Sequence, residues 1–307
     1  MVMLLAALVL NIDSLLADTP GNAGVWTGYM ENCTGDTLEC CLYLLKNIPR
    51  LDRLEMTTEA LDDHILHSLP FRSGLPDSVF LPGLLLYRTA EEPVSSFRGT
   101  LGGFWDSLGA SEPREVAEWA EENLQVLSRR YLGGMQDPMQ VLESRAGTPG
   151  EIQVFLAASL RAMGFPVRTV TGWFAGESGG EESWLEVWEN GRWSPMREDF
   201  TGLMLAAGGN GGLLTGNCTE TFTLIVEPPG SSFGEYLVSL NLPVDGRYLP
   251  LDMALCPDTV QLGSGNVLIC LSRRLPSGAV EVWNSFISPL PGDTVHWDAS
   301  DLVANRR

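Results

Sequence analysis

The clearest periodicity in the chain runs from Thr148 to Gly164. Apolar residues recur at Ile152, Phe155, Leu156, Leu160 and Met163, the spacing of a helix packed along one side. Thr148 and Glu151 stand three apart ahead of that stripe, as in a capping box. Pro149 falls at the first helical position, where its missing N–H costs nothing. Gly164 and Pro166 close the element. The pattern then changes. Val167 to Phe174 predicts a strand and Ser183 to Trp188 a second, after a polar, Gly-rich loop. Asn190-Gly191 predicts a hairpin turn into Arg192–Pro195.

Upstream, Thr37 to Ile48 carries Leu38, Cys41, Leu42, Leu44 and Leu45 in a helical pattern. Thr57 to Ser68 predicts another helix, capped by Thr57 or Thr58, with Leu61, Ile65 and Leu66 apolar. Its His64 and His67 have a spacing that can hold a metal, but no acidic or Cys partner accompanies them in pattern. They are expected to be surface or boundary residues. Leu69 to Tyr87 is broken by Pro and Gly, and a short helix is expected around Phe97-Arg98. Ser111 is the expected cap of a helix whose stripe is Val116, Trp119, Ala120, Leu124 and Leu127, and Tyr131 to Ser144 is a link.

Downstream, the Gly-rich stretch Leu203 to Leu214 is expected to be a flexible linker. Strands are expected at Thr221–Val226, Glu235–Leu242, Asn266–Arg273, Ala279–Trp283 and Thr294–Trp297, with turns at Asp245-Gly246 and Pro276–Gly278. Strands at this spacing without helices between them predict a small β-sandwich.

A chain of 307 residues can hold two domains, each with its own core. Its net charge of −20 repels nucleic acid and anionic membrane surfaces, so neither is an expected partner. Met1 to Leu10 is apolar but too short to span a bilayer, so no stable membrane span is expected. It suits an export signal cleaved after Ala17, or a buried first helix; no Lys or Arg precedes it. The six cysteines show no metal-site spacing and are read as small buried apolar residues, some of them bridged. Asn32-Cys33-Thr34 and Asn217-Cys218-Thr219 fit the glycosylation acceptor pattern. The Gly-rich stretch lacks the phosphate-loop pattern, and no cofactor is expected.

Gly147, Gly150, Glu151, Leu160, Arg161, Ala162, Gly164, Pro166 and Arg168 form one ungapped block, and Trp184, Glu186, Val187, Trp193 and Pro195 a second. This order resembles the transglutaminase-like superfamily, relatives of the papain-type cysteine proteases. The resemblance implies an α+β fold: a transglutaminase-like (papain-like) core with a helical N-terminal region, followed by a β-sandwich. The run from Gly263 to Arg274 with Gly278 and Pro291-Gly292-Asp293 resembles the immunoglobulin-like module that follows the core in exported relatives. The expected organisation is an export signal or N-terminal helix over 1–20, a helical region over 21–110 and the core over 111–205. A linker over 206–219 and a sandwich over 220–307 complete it.

Counted along those blocks, the family's nucleophilic Cys position holds Pro149, its His position Glu182, and the position where many members carry the acid Arg197. Pro has neither nucleophile nor proton, and Glu cannot replace imidazole as partner of a thiolate. No His occurs between His67 and His296. The expectation is therefore a non-catalytic member, exported, binding an unidentified peptide, protein or glycan. Glu182, Trp173 and Trp184 are its candidate ligand contacts. Two alternatives stand beside it. One is a hydrolase using Glu182 with a second acid among Glu151, Glu186 and Asp199. The other is an active enzyme with a displaced Cys, Cys218 being nearest in sequence.

Overall fold

The computed structural model describes residues 12–129, 133–209, 212–227, 236–251 and 259–298. The apolar run Met1–Leu10 and Cys256 lie outside them. The chain divides into two compact units, one of Met1–Arg168 with Leu185–Pro195, the other of Thr169–Trp184 with Met196–Arg307.

The first unit opens with helices α1 (Ala23–Glu31), α2 (Gly35–Asn47), α3 (Arg50–Glu55) and α4 (Thr58–Leu66). The expected cap of α4 is present: the Thr57 hydroxyl accepts from the Ala60 N–H at 3.1 Å. The Pro- and Gly-broken stretch folds as tight helical turns, Leu69–Gly74 and Phe80–Leu85 among them, and buries Phe80, Leu84 and Leu85. Next comes α5 (Arg98–Leu108), whose first N–H groups are capped from another helix. Asp63 accepts from the N–H groups of Phe97, Arg98 and Gly99 at 2.7–2.9 Å, placing a carboxylate at the positive end of the helix dipole. Helix α6 (Pro113–Asn123) has Glu112, not Ser111, at its cap, because Glu112 and Glu115 complete a capping box around Pro113. The link after Tyr131 also holds a helix, α7 (Pro138–Ser144), capped by Asp137.

A two-residue parallel pair joins β1 (Gln125–Val126) to β2 (Ala146–Gly147) and fixes the approach to α8 (Pro149–Ala162). Helix α8 packs against α5, α6 and α7. It is buried on more than one side. Val154, Phe155, Ala157, Ala158 and Leu160 are all enclosed, as are the polar Ser159 and Arg161. The apolar stripe understates this burial because alanines and a satisfied arginine do not register as hydrophobic periodicity. Trp105, Trp119 and Phe155 make the aromatic contact around it. Gly164 ends the helix with a φ of 92°, where the Phe71 ring would also collide with any Cβ.

Four further strands follow: β3 (Val167–Phe174), β4 (Gly180–Glu189), β5 (Arg192–Pro195) and β6 (Leu203–Gly208), in sheet order β5-β4-β3-β6. The β4–β5 turn has Asn190 and Gly191 both at positive φ, the backbone that Asn-Gly predicts. Strand β6 corrects the linker expectation. Leu203 to Ala207 are buried, as in a strand covered on both faces, whose sequence is an apolar run without alternation. Helix α9 (Thr215–Cys218) ends the stretch.

The second unit continues as a β-sandwich. One sheet orders β10 (Thr259–Gly263), β7 (Thr221–Glu227) and β13 (Thr294–Asp298). The other orders β12 (Val280–Ile287), β11 (Val267–Arg274), β8 (Leu237–Val244) and β9 (Arg247–Pro250). Phe222, Leu224, Leu240, Leu242, Leu262, Ile269 and Leu271 share one core. Cys33, Cys40, Cys41 and Cys270 are free thiols rather than bridged. No described helix is long and apolar enough to cross a membrane.

His64 is not a surface residue. It is fully buried, stacked on Tyr87 at 4.3 Å with Phe97 edge-on at 5.1 Å. Burial, then the charges of Arg98 and Arg161, hold its pKa well below the ordinary histidine value. Below about pH 6.5 the unfolded chain therefore takes up a proton that the folded chain refuses. Stability should fall from about pH 7 to about pH 5.5, by at most about 1.4 kcal/mol per pH unit from this group. Urea midpoints at the two pH values should show that slope shrinking in His64→Gln; an unchanged slope would remove His64 as its cause.

Candidate functional site

At the start of α8 the side chain of Glu151 turns back on the cap. Its carboxylate accepts from the Thr148 N–H at 2.8 Å, the Thr148 hydroxyl at 2.9 Å and the Gln136 N–H at 3.0 Å. Burial opposes its ionisation, but these donors outweigh burial and hold the carboxyl below its ordinary pKa. Pro149 occupies the first helical position beside this cap and is exposed. A helix N-terminus favours an anion there. The imino acid has no group to ionise.

In the second unit Glu182, on β4, and Arg197, in the loop after β5, form an ion pair with Arg197 Nη1 2.9 Å from Glu182 Oε2. Arg197 Nε donates to the Asp199 carbonyl at 2.8 Å. Its guanidinium lies over three aromatic rings, with centroid distances of 4.7 Å to Phe174, 5.4 Å to Phe200 and 5.5 Å to Trp184. Trp184 meets Phe174 at an interplanar angle of 69° and Phe200 at 71°, so the rings stand as steep walls. Strand alternation, with a bulge where Trp173 pairs Leu205 and Phe174 pairs Leu203, sets these walls: Phe174, Trp184, Leu203 and Ala206 pack on one cluster, while Trp173 and Leu205 join the sandwich core. Gly172 makes the arrangement fit. A Cβ there would stand 2.5 Å from the Trp184 ring and 2.9 Å from Leu203.

Of the candidate ligand contacts, Glu182 and Trp184 therefore come together around Arg197. Trp173 is packed among Met204, Leu205 and Phe222 with 8% of its surface exposed. Phe174 and Phe200 are wall residues that the sequence reading did not single out. The alternation of β3 could have found Phe174; nothing local marks Phe200.

The other carboxylates have partners of their own. Glu186 is buried and accepts from Arg168 Nε at 2.7 Å and from Arg168 Nη2, and Arg168 in turn lies 4.6 Å over the Trp193 ring. Asp199 accepts from the Thr201 N–H at 2.8 Å, which holds its pKa below the usual carboxylate value. Glu151 and Asp199 are thus biased toward the anion, the wrong direction for a general acid. The histidines are His64 in its aromatic stack, His67 beside Asp63, and His296 beside Glu227. Among the described residues no three His, Cys, Asp or Glu side chains are grouped to hold a metal.

Residues 106–197 match the family model of the transglutaminase-like superfamily. This segment is a transglutaminase-like core. The match ends on Arg197, and the core contains no Cys and no His. No curated relative matches the chain. Two solved structures are similar to it. One is a candidate cysteine protease from Cytophaga hutchinsonii, 13% identical, with 72% of this chain and 61% of that chain covered and a TM-score of 0.34. The other is a candidate protease from Parabacteroides distasonis, 11% identical, covering 63% and 49%, with a TM-score of 0.33. The chain thus spans less than two thirds of the length of either.

The packing around Trp184 separates two substitutions. Gly172→Ala should cost about 1–3 kcal/mol, because a buried indole must move. Glu182→Gln should cost roughly 0.2–1 kcal/mol, since its side chain is 47% exposed and the pair is screened. Denaturant midpoints of both variants check this ordering, and the reverse order would contradict it.

Proposed function

We propose that the transglutaminase-like core of this chain is non-catalytic and serves as a binding module. One observation carries the reading: at the three positions where the family places Cys, His and acid stand Pro149, Glu182 and Arg197, in a core without any thiol or imidazole. Acyl transfer by this family's route needs a thiolate nucleophile and an imidazole to move its proton. Neither can be supplied from within the core. The Glu182–Arg197 contact supports the same reading. At the family's His and acid positions the chain carries a carboxylate facing a guanidinium, and neither is the imidazole that the family's route uses.

The carboxylate-hydrolase alternative loses support because Glu151, Glu182, Glu186 and Asp199 each have a partner. Cys218 packs against the cluster that includes Phe174 and Trp184, and the family's route would need an imidazole beside it, whereas the chain's histidines are His64, His67 and His296. Export, expected from the apolar run Met1–Leu10, is part of the same proposal.

The test is turnover. Purified chain assayed for amidase, peptidase and amine-crosslinking activity should give rates no higher than buffer. Turnover abolished by Glu182→Gln would instead establish the carboxylate mechanism, and turnover abolished by Cys218→Ser the displaced thiol.

A further inference from the structure

The walls around Arg197 have the composition of a receptor for a cation. Phe174, Trp184 and Phe200 present π-faces, and Glu182 stands at the rim as a counter-charge. Aromatic faces around a carboxylate recognise a delocalised cation by attraction to the ring quadrupole and by directed hydrogen bonds. Here the occupant is the chain's own guanidinium.

Three features distinguish this box from a packed core. Arg197 sits in the irregular segment 196–202 between β5 and β6, so it can withdraw without breaking a strand pair. Its side chain is 24% exposed and that of Glu182 47%, which puts the box at the surface of its unit. Trp184, only 5% exposed, has an indole N–H without a hydrogen-bond partner among the described residues. That wall residue thus holds a buried donor unsatisfied while Arg197 occupies the box.

We propose that this box is a binding site for the guanidinium group of an arginine side chain presented by a partner peptide, and that Arg197 fills it in the free chain. The inference rests on the binding-module reading and names its ligand class. The current occupant argues for guanidinium over ammonium: one planar group makes the Glu182 and Asp199 hydrogen bonds while lying over the rings. The chain's net charge of −20 favours approach by a basic peptide. A tethered occupant competes at an effective concentration of roughly millimolar or more, so the free chain should bind such a peptide weakly until Arg197 is displaced.

Removing Arg197 should expose the preference. In Arg197→Ala, methylguanidinium should bind at least about ten-fold more tightly than to the wild-type chain, followed by saturation-transfer NMR of its methyl group, and N-methylurea, its neutral isostere, should not bind. Adding Glu182→Gln should weaken methylguanidinium about five-fold or more. Equal uptake of methylguanidinium and N-methylurea by Arg197→Ala overturns the proposal. Should Arg197→Ala not fold, the wild-type chain decides: a short arginine peptide should out-compete its citrulline counterpart, and no preference between them overturns it. The acyl-transfer assay on the same wild-type preparation separates the two claims. Turnover overturns the non-catalytic reading; an inert chain indifferent to guanidinium overturns only the ligand class.

Discussion

A buried arginine with no carboxylate hydrogen-bonded to it among the described residues organises the first unit. Arg161 leaves the end of α8 and donates to the carbonyls of Gly83 at 3.1 Å, Tyr87 at 2.8 Å and Val167 at 3.1 Å, and to the Thr89 hydroxyl at 2.8 Å. Burial pushes its pKa down to about 10, so it remains charged at neutral pH. The cost of burying that charge is offset only while the acceptors stay in place, because each unmet buried carbonyl would add its own desolvation penalty. One side chain thus fixes the end of the central helix, the turns at 83–89 and the first residue of β3. Arg98 repeats the device beside it, donating to the carbonyls of Leu84, Leu85 and Arg161. Two cations in one dry region also explain why His64 there stays neutral.

The proposed reading keeps the framework of the family without its chemistry. Residues that shape the core are present: the capping box, Arg161, the Gly164 stop, and Glu186 held by Arg168. In the proposed reading, those at the reacting positions are replaced by Pro149 and by the Glu182–Arg197 pair. Pro149 suits the geometry of a helix start as well as any residue can. Glu182 and Arg197 form an ion pair, and Arg197 gains three aromatic faces.

Much of this was legible in the sequence because local rules and tertiary structure agree. The Thr148–Glu151 cap, strand β3, the Asn190-Gly191 turn and the strands of the sandwich obey short-range chemistry. The misses occur where tertiary contacts decide. Strand β6 is covered on both faces, so Leu203–Ala207 lost the alternation that marks a half-buried strand, and the glycines that follow suggested a linker. His64 is a polar residue made tolerable by Tyr87 and Phe97, which come from distant segments. At the candidate site, counting along the motif placed Glu182 and Arg197, but their mutual contact and the Phe200 wall depend on how a loop folds back. Trp173 and Phe174 are neighbours in sequence and lie in different cores, which strand alternation implies and a list of aromatics hides.

The central claim is that no residue of the core can form a covalent acyl intermediate. Treating the folded chain with an electrophilic glutamine-peptide analogue and mapping the adducts by mass spectrometry tests this directly. The account predicts no stoichiometric adduct within residues 106–197 and only slow labelling of cysteines elsewhere in the chain. A rapid one-to-one adduct inside the core that disappears when the chain is unfolded first would contradict it.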